Sequence, residues 1–170
     1  MKKLYIMRHG IALDIGEQGI RRDFDRPLSE EGRRKIIAAA QGLKALGHCP
    51  DVIGSSPLIR AWQTAECVQE VCACAAGLEE CVFMAPGGSF TDLIGWVNAQ
   101  PASARLMLVG HMPDVAWLTY ACLDEKERQP LAFKKAAVAC VVFDGRACEG
   151  RGRLEWFHPP RLLREAGMNK

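Results

Sequence analysis

Two stretches about a hundred residues apart share one pattern. "LYIMRH" (residues 4–9) and "LMLVGH" (residues 106–111) each run through four apolar residues and end at a histidine. A short unbroken apolar run suits a strand covered on both faces, as in the parallel sheets of α/β proteins. Two such strands in one sheet would deliver their histidines to the same edge.

The segments between the runs read as helices. Ser29 is placed to cap a helix whose first turn holds Glu30 and Glu31, and Ile36, Ile37, Ala40, Leu43 and Leu46 continue an apolar stripe to a stop at Gly47. "DVIGSSP" reads as a second strand and turn, with Pro57 at the first position of a helix over about Leu58 to Cys74. "ECVFMAPGG" holds a short third strand, "SFTDLIGWVNAQ" a helix capped by Ser89 or Thr91, and "PDVAWLTYACL" the helix after the "ARLMLVGH" strand. "AAVACVVFDG" and "GRLEWFHPP" close the chain as an antiparallel β-hairpin added to an edge. Alternating strands and helices predict an α/β three-layer sandwich, a mainly parallel sheet flanked by helices. At 170 residues the chain is expected to form one domain, 1–170.

The net charge of +2 gives no global reason to expect nucleic acid or a membrane as partner. No apolar run approaches the roughly 20 residues of a membrane span, and in "MKKLYIM" Arg8 and His9 follow too soon for a signal peptide. A cytoplasmic protein is expected. The eight cysteines lack metal-ligand spacing and are read as reduced core residues. A Cys, five residues, then Arg, the spacing of cysteine phosphatases, occurs at Cys122–Arg128 and Cys140–Arg146. The first intervening loop, "LDEKE", carries three carboxylates that would repel phosphate, and the second crosses a predicted strand.

In open α/β sheets ligands bind at the carboxyl edge of the strands. Arg8 and His9 end one strand, His111 ends another, and Arg60 in "SSPLIRAWQT" lies in the first turn of the helix after a third. Each residue alone has a dull explanation, as a hydrogen-bonded strand end or a solvated helix residue. Together, two arginines, two histidines and a helix N-terminus make an electropositive pocket in a nearly neutral chain. Arginine forks match the oxygens of phosphate. A metal site is the rival use of two histidines, but adjacent arginines would repel a cation and no carboxylate occupies a matching strand end.

"RHG" at Arg8–Gly10, "SSPLIRAWQTA" and "VGHMPDV", in that order, resemble the histidine phosphatase superfamily, also called the phosphoglycerate mutase-like fold. "RPLSEEG" at Arg26–Gly32, "APGG" at Ala85–Gly88 and "FKKAAVACV" are similar to its short SixA-type phosphohistidine phosphatases. The resemblance implies His9 as a nucleophile that is transiently phosphorylated, with Arg8, Arg60 and His111 holding the phosphoryl oxygens. It implies no metal or organic cofactor. Gly10 and Arg26 are candidate substrate contacts, and a phosphate ion and a histidine-phosphorylated protein, such as a phosphotransfer domain or phosphocarrier, are the implied partners.

Superfamily members acting on phosphate esters present an acid to the departing alkoxide. Glu79, Glu80 and Asp92 do not match its place. An imidazole, titrating near ~6.5, leaves far more readily than an alkoxide. A phosphorus–nitrogen substrate is therefore favoured. A small-molecule phosphomonoesterase on the same fold is the alternative, and a non-catalytic phosphate-binding module a third. In the 12–27 loop, Arg21, Arg22 and Arg26 could meet a partner, but Asp23 and Asp25 partly neutralise them, which favours a solvated loop. His48 and His158 are read as surface or structural residues.

Overall fold

The computed structural model describes residues 1–168. Strands β1 (Lys2–Arg8), β2 (Val52–Ser55), β3 (Leu78–Glu80), β4 (Arg105–Gly110), β5 (Val138–Phe143) and β6 (Arg153–His158) form one sheet, in the order β3-β2-β4-β1-β5-β6. The first four are mutually parallel, whereas β5 runs antiparallel to β1 and pairs with β6 as the edge hairpin. Helices α1 (Glu30–Ala45), α2 (Ile59–Cys72), α3 (Phe90–Ala99), α4 (Asp114–Cys122) and α5 (Pro160–Met168) cover the two faces.

The side-chain alternation of β1 divides the core. Tyr5 and Met7 face a cluster with Ile36, Leu43, Ala61, Val68 and Leu163, from α1, α2 and α5. Leu4 and Ile6 face the other, with Leu93, Val97, Val115 and Leu118 from α3 and α4. β2, β4 and β5 are buried almost throughout, as their unbroken apolar runs require. Ser29 accepts from the Gly32 N–H and caps α1, and Ser89 does the same for α3 through the Asp92 N–H. The buried Lys2 ammonium closes the other end of α3, donating to the carbonyls of Val97 (2.7 Å) and Gln100 (3.0 Å).

Four local expectations are corrected. The third strand is Leu78–Glu80, and the "VFM" run assigned to it is a 3-10 turn. "LEE" is a poor strand former that survives because it lies at the sheet edge, where charged side chains reach water. Helix α2 starts at Ile59, capped at Leu58, so Pro57 precedes the helix. The chain does not close with the hairpin: α5 follows, with Pro160 at its first position. It packs on α1 through the wholly buried Leu163, at Gly42, where any β-carbon would lie 1.8 Å from the Leu163 carbonyl oxygen. Finally, only Cys67, Cys81, Cys122 and Cys140 are buried; Cys49, Cys72 and Cys74 are half-buried and Cys148 is exposed. Burial pushes the Cys122 thiol up to about 12, so it holds no thiolate for the cysteine-phosphatase spacing.

No helix among the described residues is long and apolar enough to cross a membrane.

Candidate active site

The two histidine-ended strands are adjacent and in register. Leu4 pairs with Leu106 and each following residue with its counterpart, up to Arg8 with Gly110. The next residues are His9 and His111. The ladder continues by one bond, from the His9 N–H to the Gly110 carbonyl at 3.0 Å, and the imidazole centroids lie 5.0 Å apart. Arg60 arrives from the first turn of α2, its Nε–H 3.4 Å from His9 Nε2. His9, Arg60 and His111 are all buried, at 7%, 5% and 3% exposure, and Arg8 is half-buried.

Hydrogen bonding fixes the state of His9. Its Nδ1 lies 2.6 Å from the Gly10 carbonyl oxygen, an acceptor, so Nδ1 carries the proton. Nε2 is left with its lone pair. Burial pushes the His9 pKa down to about 3; the Gly10 bond opposes this, while His111, Arg60 and Arg8 add to it. His111 is pushed down to about 4, by burial first and then by Arg60, with Asp23 opposing. Both rings are neutral at neutral pH. Burial also lowers the Arg8 pKa, though a guanidinium stays charged.

Gly10 is tied to α2, its N–H donating to Thr64 Oγ1 at 3.0 Å while the Thr64 hydroxyl donates to the Arg60 carbonyl at 2.7 Å. A larger residue at this position would have to displace Ile36, because a β-carbon would stand 2.7 Å from Ile36 Cγ1. Thr64 thus couples the turn after His9 to the helix that carries Arg60. His111 Nε2 lies 2.8 Å from Ser56 Oγ, beyond the end of β2. Arg8 donates from Nη1 to the Phe133 carbonyl at 2.8 Å. The buried Arg8 Nε and His111 Nδ1 have no hydrogen-bond partner among the described residues. An unsatisfied buried polar group typically costs about 1–3 kcal/mol. Two of them beside His9 suit an oxyanion.

The 12–27 loop is mostly exposed, as expected, yet one of its residues takes part in the cluster. Asp23 reaches the cluster and holds both Nη groups of Arg60, one with its carbonyl (2.7 Å) and one with Oδ2 (2.9 Å). Burial would raise the Asp23 pKa, but hydrogen bonds from Arg26 and Arg60 outweigh it and hold the carboxyl below the usual range. Arg26, expected as a substrate contact, is turned onto its own loop: it donates to the Leu13 carbonyl, Asp23 and Asp14. Its partners make it a brace for Asp23. Glu79 accepts from the Trp96 indole at 2.7 Å. His48 and His158 stack on Trp156 at 4.5 and 4.3 Å.

Sequence reasoning missed Asp23, Ser56 and Thr64 as parts of the cluster. Ser56 and Thr64 lie inside the quoted "SSPLIRAWQTA" stretch, which was the available signal. Asp23 had none: its loop has no periodicity, and its partner is 37 residues away.

Comparison with known proteins agrees with this geometry. The profile of the histidine phosphatase superfamily (branch 1) matches residues 4–85. An uncharacterised protein of Picosynechococcus sp. is 37% identical over 140 residues, spanning 80% of this chain and 82% of its own. The protein histidine phosphatase SixA, solved with tungstate, superposes with a TM-score of 0.81 at 27% identity, over 95% of this chain and 99% of its own. A structure from Agrobacterium tumefaciens, provisionally assigned as phosphohistidine phosphatase SixA, gives 0.73 at 26% identity, over 93% and 97%. The fold is phosphoglycerate mutase-like, and the chain belongs to the histidine phosphatase superfamily.

Proposed function

We propose that the protein is a phosphohistidine phosphatase that removes phosphate from a histidine-phosphorylated signalling or phosphotransfer protein, with His9 as nucleophile. The observation that carries this reading is His9 Nε2, left without a proton by the Nδ1 bond to the Gly10 carbonyl and set beside Arg60 and the His111 ring.

The chemistry follows from those atoms. His9 Nε2 attacks phosphorus in line, and the substrate's phosphorus–nitrogen bond breaks as the new one forms. The substrate ring's other nitrogen takes a proton from water, so the ring departs as neutral imidazole. Arg8, Arg60 and His111 hold the non-bridging oxygens, and charge stabilisation and positioning supply most of the acceleration. If the Ser56 hydroxyl donates to His111 Nε2, the His111 proton sits on Nδ1 and serves as one oxygen donor. Water then attacks the phosphohistidine of His9 and releases inorganic phosphate with the imidazole restored. No step calls on a metal or organic cofactor.

The choice of a phosphorus–nitrogen bond rests on proton supply. Asp23 is the carboxylate bonded to the cluster, and its two arginine partners keep it ionised. It has no proton to give an alkoxide. Imidazole, with its pKa near ~6.5, needs far less help. The solved SixA with tungstate, a tetrahedral oxyanion, is consistent with the same anion chemistry.

A substrate panel tests the reading. A phosphorylated histidine domain is expected to release phosphate faster than sugar phosphates by orders of magnitude, with an acid-labile phosphoryl group on His9 after rapid quench. Preference for sugar phosphates would replace this reading with a phosphomonoesterase, and normal turnover by His9→Ala would remove the nucleophile.

A further inference from the structure

A cleft of about 460 Å3 is lined by Arg8 and Gly10, the two chain neighbours of His9, and not by His9, Arg60 or His111. Its lining includes Arg8, Lys35, Lys134, Lys135 and Arg164, and no carboxylate. The chain as a whole has 22 basic and 20 acidic residues, so five cations without an acid in one concavity is a segregation of charge. Lys35 pairs with Glu31 at 2.6 Å. Among the described residues, Lys134, Lys135 and Arg164 have no carboxylate within ion-pair distance.

The placement of these cations is built into the backbone. The Arg8 N–H donates to the Ala137 carbonyl, the Ala136 N–H donates to the Arg8 carbonyl, both at 3.1 Å, and Arg8 Nη1 holds the Phe133 carbonyl. The segment carrying the two lysines is thus strapped across the end of β1. Ala136 takes a left-handed conformation (φ 71°), which costs a residue with a β-carbon roughly 1–2 kcal/mol. A turn closed by the Ala137 N–H on the Lys134 carbonyl leaves Lys134 and Lys135 exposed. The first turns of α1 and α5 complete the wall at Gly32 and Pro160, and their dipoles add to its positive potential.

We propose that this cleft docks an acidic segment of the phosphoprotein, next to the phosphohistidine that enters the pocket of His9. The proposal rests on the phosphohistidine reading above and adds what selects the protein carrying the substrate. Charge complementarity names the occupant: Asp and Glu side chains, lying within a Debye length of about 8 Å of several cations. Arg8 joins the two sites along the chain, since it lines the cleft and its neighbour in sequence is the nucleophile proposed above. Docking acts on encounter and retention, and leaves the chemical step alone.

The test uses the triple variant Lys134→Glu/Lys135→Glu/Arg164→Glu, with Lys126→Glu/Arg151→Glu/Arg153→Glu, exposed residues outside the cleft, as the charge-matched control. Binding of a fluorescent poly-glutamate peptide at low salt is expected to weaken about tenfold or more in the cleft variant and much less in the control. With a phosphorylated histidine domain bearing acidic flanks, kcat/KM is expected to fall by a similar factor, carried by KM. Turnover of free phosphohistidine is expected to stay within about twofold, because the reversed charges lie outside the pocket of His9. Equal peptide binding by wild type and cleft variant would overturn the proposal. So would a parallel loss of free phosphohistidine turnover, or tighter capture of tripolyphosphate than of poly-glutamate, which would mark a small-anion site. If the wild type hydrolyses no phosphohistidine at all, the functional reading fails, while the peptide measurement still decides the cleft.

Discussion

Asp23 grips Arg60 from both sides of the guanidinium, its main-chain carbonyl on Nη1 at 2.7 Å and its carboxylate on Nη2 at 2.9 Å. The arginine is nearly enclosed, with 6% of its side chain exposed, whereas the aspartate is 51% exposed. A loop carboxylate therefore aims a buried cation at His9 while offsetting part of its charge. The two effects oppose each other for an incoming anion.

Asp23→Asn separates them. The main-chain acceptor remains and the amide oxygen replaces Oδ2, so Arg60 keeps both acceptors; the Arg26 bond to Oδ1 is lost and the site loses one negative charge. For a half-exposed pair that charge is worth about 0.5–1 kcal/mol. Inorganic phosphate is expected to inhibit the variant with a constant about two- to fivefold lower at low salt, and the difference is expected to shrink as salt rises. Weaker phosphate inhibition in the variant would mean that the carboxylate matters chiefly for aim.

Thr64→Val keeps the shape and removes the hydroxyl that joins Gly10 to Arg60. The Gly10 N–H is left buried and unpaired, at a cost of about 1–3 kcal/mol in urea unfolding. Thr64→Ser retains both hydrogen bonds and is expected to lose less. Equal loss in the two variants would show that the methyl group, and not the hydroxyl, holds the turn.

At Gly10 the constraint is steric. A β-carbon there stands 2.7 Å from Ile36 Cγ1 and 3.0 Å from Leu28 Cδ2. Gly10→Ala is expected to destabilise the fold by about 1–3 kcal/mol. It also shifts the turn bearing His9, and misplacing a reacting group by about 1 Å costs on the order of a hundredfold in kcat. Adding Ile36→Ala removes the clashing carbons, so activity recovers in part although the core has lost a side chain. A double variant no more active than Gly10→Ala would reject the steric account.

What could be read in advance depended on whether a residue's partner was set by a repeating element. His9 and His111 end strands with the same apolar pattern, and strands in register bring equivalent positions together. Arg60 was legible because it opens the helix after a strand of the same sheet. Asp23 lies in a loop, and nothing local distinguishes it from Asp25, which pairs instead with Arg22. The third strand was placed about four residues late because "VFM" has the stronger strand propensity, whereas pairing with β2 selects "LEE". Helix α5 was missed despite Pro160 because its burial rests on few side chains, chiefly Leu163.

The two depressed imidazoles tie stability to pH. In the unfolded chain each titrates near ~6.5; in the fold His9 lies at about 3 and His111 at about 4. Between the folded and unfolded values the unfolded chain binds protons that the native state refuses, so stability rises with pH and is lost as pH falls from ~6.5. Each group contributes a slope of at most about 1.4 kcal/mol per pH unit. His9→Asn/His111→Asn removes both, so its unfolding free energy is expected to decline less steeply than that of the wild type on acidification, by about 2 kcal/mol per pH unit between roughly pH 4.5 and 6. The comparison of slopes cancels the carboxylates common to both proteins, and any uniform destabilisation from the substitutions drops out. Saturating phosphate is expected to blunt the slope in the wild type alone, because a bound dianion offsets Arg8 and Arg60 and lets the imidazoles take up protons. Parallel slopes in urea titrations, with and without phosphate, would mean that these rings are not the groups held neutral by burial among cations.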